Sequence, residues 1–383
     1  MTDELPTVWE AEPHTTAKHA ILGGYLKAWM AILARQTAKL GRRKPILYID
    51  GFAGPGTYAG GEEGSPVVAI RTAVEHSHDL PVPIEVLCIE QREDRYRRLV
   101  QVLEDQRQRV SESTKVIIDQ PIQGDCHKEI NRLLDRHDES KTRFGPALVF
   151  LDQFGYSAVP MELIRRIMSH DVCEVLTYLN WSHLGRFISD ETKWSGITRA
   201  FGGKDWKEVL DLPPDQRPPR LLELYRRALV NRGGVRFHCS FSMHDERGGL
   251  LYWLFFCSGN VRGFEEMKRS MWRVDETGEF QFFDRHFGQL RLLQGYDDEW
   301  LAEALCHDLR GTTRTVAEVQ EHVLVETPCW NHGGALRVLE RQERISFVDA
   351  PPGRRRGWFK KYPEMRIRFD CPPVRREEQQ KLF

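Results

Sequence analysis

The chain is notable first for what it does not contain. Its eight cysteines, at 88, 126, 173, 239, 257, 306, 329 and 371, include no C-x-x-C pair. That spacing would announce a zinc ribbon or a thioredoxin-like redox site. Several sit in apolar runs, Cys88 and Cys257 among them, where a thiol packs as a small hydrophobe. The reading is therefore of reduced thiols in a cytoplasmic protein. No apolar run approaches the ~20 residues that span a bilayer; the best, Leu250 to Cys257, has the length of a strand. Met1 to Glu12 is acidic and polar, unlike a secretory leader. Charge of one sign is not in surplus either: the formal net charge is -1 over 383 residues. The chain as a whole is then no polycation, and any basic patch is local. Internal repeats and low-complexity tracts are missing, which leaves an ordinary globular composition over a length that suits two domains.

What is present centres on residues 46 to 58. Ile46-Leu47-Tyr48-Ile49-Asp50 is an apolar run ending in an acid, and three glycines follow, Gly51, Gly54 and Gly56, with Phe52 among them. In an open α/β sheet the ligand crevice lies beyond the carboxyl ends of the strands. Glycines there allow positive φ and close approach of the backbone to a ligand. The spacing is not G-x-G-x-x-G, so the dinucleotide fingerprint is absent.

The flanking segments repeat the pattern. Before it, His14, Lys18 and His19 lie at the start of a helix whose apolar face is Ile21, Leu22, Tyr25, Trp29, Ile32 and Leu33, with Thr15 or Thr16 as its cap. The cluster either closes over the crevice or is a solvated helix end. After it, Ser65-Pro66 opens a second helix. Ile84 to Glu90 is a second strand ending in an acid, where a carboxylate can take the hydroxyls of a ribose. Val116 to Ile118 is a third strand, and Gly124-Asp125 follows. Ala147 to Leu151 is a fourth, running into Asp152-Gln153-Phe154-Gly155-Tyr156, and Val172 to Leu179 a fifth. Alternation of strand and helix predicts a parallel sheet with right-handed crossovers. Residues 184–235 read as a helical insertion in which Trp194, Phe201 and Trp206 serve as core or binding aromatics. Two further strands, 235–243 and 250–257, form a terminal hairpin.

The tail changes character. Thr315 to Val325 and Asn331 to Glu340 read as helices, Ile345 to Val348 as a strand, residues 351–357 as an arginine-rich turn, and Trp358-Phe359 as the start of a return strand. Two helices and a basic-tipped hairpin are the order of a winged helix-turn-helix. Arg354, Arg355, Arg356, Lys360 and Lys361 would meet phosphate, or else form a solvated turn of a protein-binding module. The expected organisation is a Rossmann-like domain over 1–290, a winged helix over 291–371 and a frayed tail over 372–383.

These segments resemble known families. An acid followed by Gly-Phe-Ala-Gly-Pro-Gly is similar to the cofactor loop of S-adenosylmethionine methyltransferases. The segments His14 to His19 with Tyr25 and Trp29, Tyr48 to Gly56, Gly64-Ser65-Pro66, Phe150 to Tyr156, and Met267 with Met271 to Asp275 together resemble the bacterial three-Cys-motif partner family. That family is named for a companion protein that carries the three cysteines and is thought to be radical-SAM-like. A more distant likeness is to the J-type ribosomal-RNA adenine-N6 methyltransferases, whose fourth-strand motif is Asp-Pro-Pro-Tyr. Here the matching positions are Asp152-Gln153-Phe154-Gly155; the acid is kept and both prolines are lost.

The resemblance implies S-adenosylmethionine as cofactor. Asp50, Gly51, Phe52, Gly54 and Gly56 would shape its loop, Glu90 would take the ribose, Asp125 the adenine, and Lys18 and His19 would contact cofactor or substrate. Asp152 would orient an acceptor amine, with Phe154 or Tyr156 stacking on it. No resident metal is expected. Two other readings stay open: a non-catalytic subunit serving the three-Cys-motif partner or nucleic acid, favoured by Gln153, and a defence-system nuclease holding Mg²⁺ on Asp50, Glu90, Asp125 and Asp152.

Overall fold

The structure is a computed structural model that describes residues 6–42, 44–142, 144–153, 159–286 and 296–372. The chain divides into two compact units, one of Met1–Ser270 with Gln281–Gln289, the other of Met271–Phe280 with Leu290–Phe383. Residues 271–280, placed with the Rossmann-like part on sequence, belong to the second unit.

The first unit is a mixed α/β fold around a largely parallel sheet. Its elements run α1 (Pro13–Lys39), β1 (Ile46–Asp50), α2 (Ser65–Val74), β2 (Ile84–Glu90), α3 (Glu93–Arg109), β3 (Val116–Ile118), β4 (Ile122–Gln123), α4 (Cys126–Glu139), β5 (Ala147–Leu151), α5 (Met161–Met168), β6 (Cys173–Asn180), α6 (Trp181–Phe187), α7 (Trp194–Phe201), α8 (Arg217–Asn231), β7 (Phe237–His244), β8 (Leu250–Ser258), α9 (Val261–Trp272) and β9 (Gln281–Phe283). The strand order is β3-β2-β1-β5-β6-β8-β7-β9, with the short β4 pairing along β2. Only β8 runs against its neighbours. The order is that of an open, largely parallel Rossmann-like sheet. The short β4 is an addition that the apolar runs did not announce, while β9, parallel to β7, falls in the run 279–283 that reads as a further strand or loop.

Period-two alternation decides which helices each strand faces. Ile49, Leu87, Ile89, Val149, Leu151, Val175, Leu179, Trp253 and Phe255 join one core with α4, α5, α7 and α8. The residues between them, Tyr48, Asp50, Val86, Leu148, Phe150, Leu176 and Tyr178, are buried on the other face, where α1 and α2 lie. Trp206 and Phe201 are fully buried core residues and Trp194 packs beside them.

Two helix starts differ from expectation. The N-cap of α1 is Glu12, ahead of Pro13, and no side chain caps it; proline pre-sets φ for the first turn. The N-cap of α2 is Gly64, and the Ser65 hydroxyl instead hydrogen-bonds Asp50.

The second unit contains α10 (Asp298–Leu309), β10 (Thr313–Thr315), α11 (Val316–Glu326), α12 (Gly333–Arg341), β11 (Ile345–Phe347) and β12 (Arg366–Phe369), with strand order β10-β12-β11. Thr315 and Glu318 close a full capping box on α11. The return strand starts at Arg366, eight residues beyond Trp358. Phe359 turns into the core at 2% exposure, and successive turns carry the chain past Pro363 before it pairs. Cys306 of α10 and Cys371 are joined in a disulfide, so the expectation of reduced thiols fails at this pair; the other six cysteines are free and buried. Among the described residues no helix is long and apolar enough to cross a membrane.

Candidate functional site at the carboxyl edge of the sheet

The sheet reverses direction of growth at β1, which pairs with β2 on one side and β5 on the other. Such a switch point opens a crevice beyond the strand ends. The chain places the glycine loop, Glu90 and Asp152 there, at the ends of β1, β2 and β5.

Each glycine of the loop serves a different purpose. Gly51 has ordinary φ, but a Cβ on it would lie 2.5 Å from Cys126 Sγ and 2.8 Å from Leu151 Cδ2. It is there so that α4 and β5 can close on the end of β1. Gly56 has φ +82°, and its Cβ would press on Leu99 and Val102 of α3. Gly54, at φ +61°, has only Trp9 within 4 Å of its Cβ direction, at 3.6 Å. Gly54 and Gly56 have the positive φ expected of the loop glycines and Gly51 does not.

Glu90 braces the loop. It is 8% exposed, one oxygen accepting from Gly54 N at 2.9 Å and the other from Arg92 N at 2.8 Å. Each oxygen retains a second acceptor site, so hydroxyls can still bind there. Asp125 is the N-cap of α4 and accepts from Lys128 N at 3.0 Å. Gly124 N donates to the Glu90 carbonyl at 3.1 Å, which keeps Asp125 beside that strand end.

Asp50 is fully buried. Tyr48 Oη and Phe52 N donate to it, each at 3.3 Å, along with Ser65. Burial pushes its carboxyl up to about 7 against the Ser65 hydrogen bond, and the charge of Asp152 adds to the rise. Asp152 forms an ion pair with Lys18, the two side chains being 13% and 6% exposed. One turn earlier on α1, His14 Nδ1 meets Asp284 at 3.0 Å. The start of α1 therefore lies over the carboxyl edge. His19 packs by Tyr58, ring centroids 5.8 Å apart; burial, then the neighbouring Lys18 charge, lowers its pKa to about 3, so the ring is neutral. Phe52 is half-buried with its ring edge-on to His127 at 6.1 Å. His127 lies beside Gln153 and is held below its ordinary pKa by burial. Phe154 and Tyr156 lie outside the described residues.

Three aromatics that the sequence reading did not assign to the site belong to it. Tyr178 at the end of β6 and Tyr252 at the start of β8 meet with centroids 5.4 Å apart. Burial raises both phenols well above the ordinary value, and the Asp152 charge adds to it. Trp9 covers Gly54, stacks edge-on with Tyr58 at 5.7 Å and carries the Arg95 guanidinium 4.5 Å from its ring. Only the strand order could reveal the tyrosines. Trp9 had a signal in being a large apolar residue in an otherwise polar leader.

Among the described residues no group of three or more His, Cys, Asp or Glu is arranged to hold a metal ion. The four acids of the nuclease reading are turned to different protein donors.

In the second unit the arginine turn is partly internal. Arg354 pairs with Glu340, the side chains being 9% and 8% exposed, and lies 4.0 Å from the Phe347 ring. Arg356 donates to the Glu340 carbonyl at 2.9 Å and Gly357 N to its carboxylate at 2.7 Å. Arg355, Lys360 and Lys361 are exposed, and Arg355 and Lys361 flank Trp358, itself 45% exposed. The reading of five equivalent phosphate contacts is corrected at Arg354, whose charge is spent on Glu340.

No protein-family model matches the chain, and no curated protein matches it in sequence. A solved structure from Klebsiella pneumoniae, provisionally described as an O-methyltransferase, is similar at 12% identity and TM-score 0.31, over 62% of this chain and 80% of that one.

Proposed function

We propose that the first unit is an S-adenosylmethionine-dependent methyltransferase domain and that the second is a winged helix presenting nucleic acid to it. The observation that carries this reading is the Glu90 to Gly54 bond at the β1/β5 switch point. It fixes a glycine loop with an open backbone beside a strand-end carboxylate that has acceptor sites to spare. The residues fit the cofactor: Asp50, Gly51, Phe52, Gly54 and Gly56 would form its loop, Glu90 its ribose site and Asp125 its adenine site. Bound, it would supply an electrophilic methyl group on a sulfonium.

The chain's own part is positioning, which can account for most of the rate of such a displacement. Lys18 holds Asp152 in place where an acceptor amine would be oriented. Tyr178 and Tyr252 wall that position. Trp358 between Arg355 and Lys361 provides a stacking face between cations, which single-stranded nucleic acid uses. Phe154 and Tyr156 complete the acceptor site on this reading, and a three-Cys-motif protein in the cytoplasm is the proposed companion.

A second reading is favoured by one observation. Gln153 stands where the resembled methyltransferases have proline, and Lys18 already occupies Asp152. A subunit that binds the cofactor or nucleic acid without transferring methyl would tolerate both. Calorimetry with S-adenosylmethionine on the full chain tests the first reading, with Glu90→Ala as control. Micromolar binding that the control loses is expected, and no binding at millimolar ligand would reject it. Methyl transfer to DNA or RNA in the same preparation then separates enzyme from accessory subunit.

A further inference from the structure

A cavity of about 460 Å³ opens at the other end of the sheet from the glycine loop. Its floor is Cys173 and Glu174, the first residues of β6, and Ser258, the last of the antiparallel β8. Its apolar wall is Tyr25, Trp29, Ile32 and Leu33 of α1 with Met168 at the end of α5. The volume is that of a small-molecule site, and opposite the apolar wall the lining is polar, with Gln36, Asp171, Asn260, Arg262 and Glu266.

The charged group buried deepest in this lining is Glu174. Its side chain accepts from Tyr25 Oη on one oxygen and from Ser258 Oγ at 2.7 Å on the other. It leans on the first turn of α9, where Gly263 leaves the space: a Cβ there would fall 2.1 Å from Oε1. Glu174 is 6% exposed. Burial pushes its carboxyl up to about 6, with the Tyr25 and Ser258 hydrogen bonds opposing; a hydroxyl donor on each oxygen is the pairing an ionised carboxylate takes. Buried charges are normally paired. Among the described residues no Lys, Arg or His forms an ion pair with Glu174. Asp171, Glu266 and Arg262 share the lining with Glu174, so three carboxylates line the cavity against one guanidinium, beside two aromatic rings and an aliphatic wall. At the rim Val172 takes φ +62°, a costly conformation for a β-branched residue and one that recurs at ligand sites.

We propose that this cavity binds a small organic cation, an ammonium group on an aromatic or aliphatic body, with Glu174 as its counter-ion. The ammonium would sit against the carboxylate, while the body would lie along Trp29, Ile32 and Leu33, where the indole face adds a cation-π contribution. The site is at the opposite strand ends from the cofactor crevice and stands whether or not the methyltransferase reading does.

Calorimetry on the full chain with benzylamine, agmatine and benzyl alcohol tests it. Benzyl alcohol matches benzylamine in shape and lacks the charge. At least one of the two amines binds, and the alcohol binds at least roughly tenfold more weakly than benzylamine where that amine is the ligand. Glu174→Gln keeps hydrogen-bonding capacity and loses the charge, so amine binding falls at least roughly tenfold while the melting transition persists. Should that variant fail to fold, Ile32→Trp narrows the half-buried wall with Glu174 untouched, and amine binding is expected to fall there too. Equal binding of benzylamine and benzyl alcohol, no binding of either amine at millimolar concentration, or undiminished amine binding in a folded Glu174→Gln or Ile32→Trp variant overturns the assignment.

Discussion

Lys18 of α1 and Asp152 at the end of β5 form an ion pair across 134 residues of sequence, with 6% and 13% of their side chains exposed. Removing one partner of a buried pair leaves the other charge stranded, at about 3–5 kcal/mol. Lys18→Met is expected to lower stability by about 3 kcal/mol in urea unfolding. Adding Asp152→Asn should return at least about 1 kcal/mol of it. Additive losses in the double variant would show that the pair carries no coupling.

Asp50 makes stability depend on pH. Its carboxyl titrates at about 7 folded and near 4 unfolded, so the native state holds the proton more tightly. The unfavourable contribution is absent below pH 4, grows as pH rises through the interval, and is complete above 7. Three units correspond to about 4 kcal/mol, an upper figure, since water entry relaxes buried charge. Asp50→Asn should therefore gain stability relative to wild type between pH 5 and pH 8. A difference that stays constant over that range, measured by denaturant unfolding at both ends, would show that the burial of Asp50 is not what the site pays for.

The glycine loop separates two effects often merged. Gly51→Ala meets Cys126 and Leu151 within 2.8 Å and should cost about 1–3 kcal/mol through overpacking. Gly54→Ala meets only Trp9, and its φ of +61° should cost about 1 kcal/mol. Cys126→Ala should rescue Gly51→Ala in part and leave Gly54→Ala as it was. Equal melting temperatures for the two alanine variants, or no rescue, would contradict the packing assignment.

Parts of this were legible in the sequence for physical reasons. A strand buried on both faces reads as a continuous apolar run, which is why Ile46 to Asp50 and Ala147 to Leu151 stand out. Acids at the ends of such runs stand out equally, and Asp50, Glu90 and Asp152 were visible as candidates. What a linear pattern does not carry is which strand ends become neighbours. Tyr178 and Tyr252 look like any strand aromatics until β8 is inserted between β6 and β7. Nor does local charge reveal direction: Arg354 and Arg355 are adjacent and basic, yet a glutamate fourteen positions earlier takes the first inward.

That difference is itself testable. Arg354→Ala should destabilise the chain by about 3 kcal/mol, because Glu340 is left buried and unpaired. Arg355→Ala and Trp358→Ala should leave the melt within about 0.5 kcal/mol and weaken binding of a labelled single-stranded oligonucleotide in fluorescence anisotropy. Stacking on Trp358 would account for about 1–3 kcal/mol of that binding. If Arg354→Ala alone weakened oligonucleotide binding and left the melt unchanged, the inward assignment would be wrong.

The Cys306 to Cys371 bond closes a ring with a sequence separation of 65 residues, which takes in α11, α12 and all three strands of the second unit. Under tension applied along the backbone, force would pass from Cys306 to Cys371 through the sulfurs and leave everything between them slack. Pulled in an optical trap, the oxidised chain should come up short by roughly 200 Å of contour length, at about 3.3–3.6 Å per residue. Reduction should return that length as a separate step.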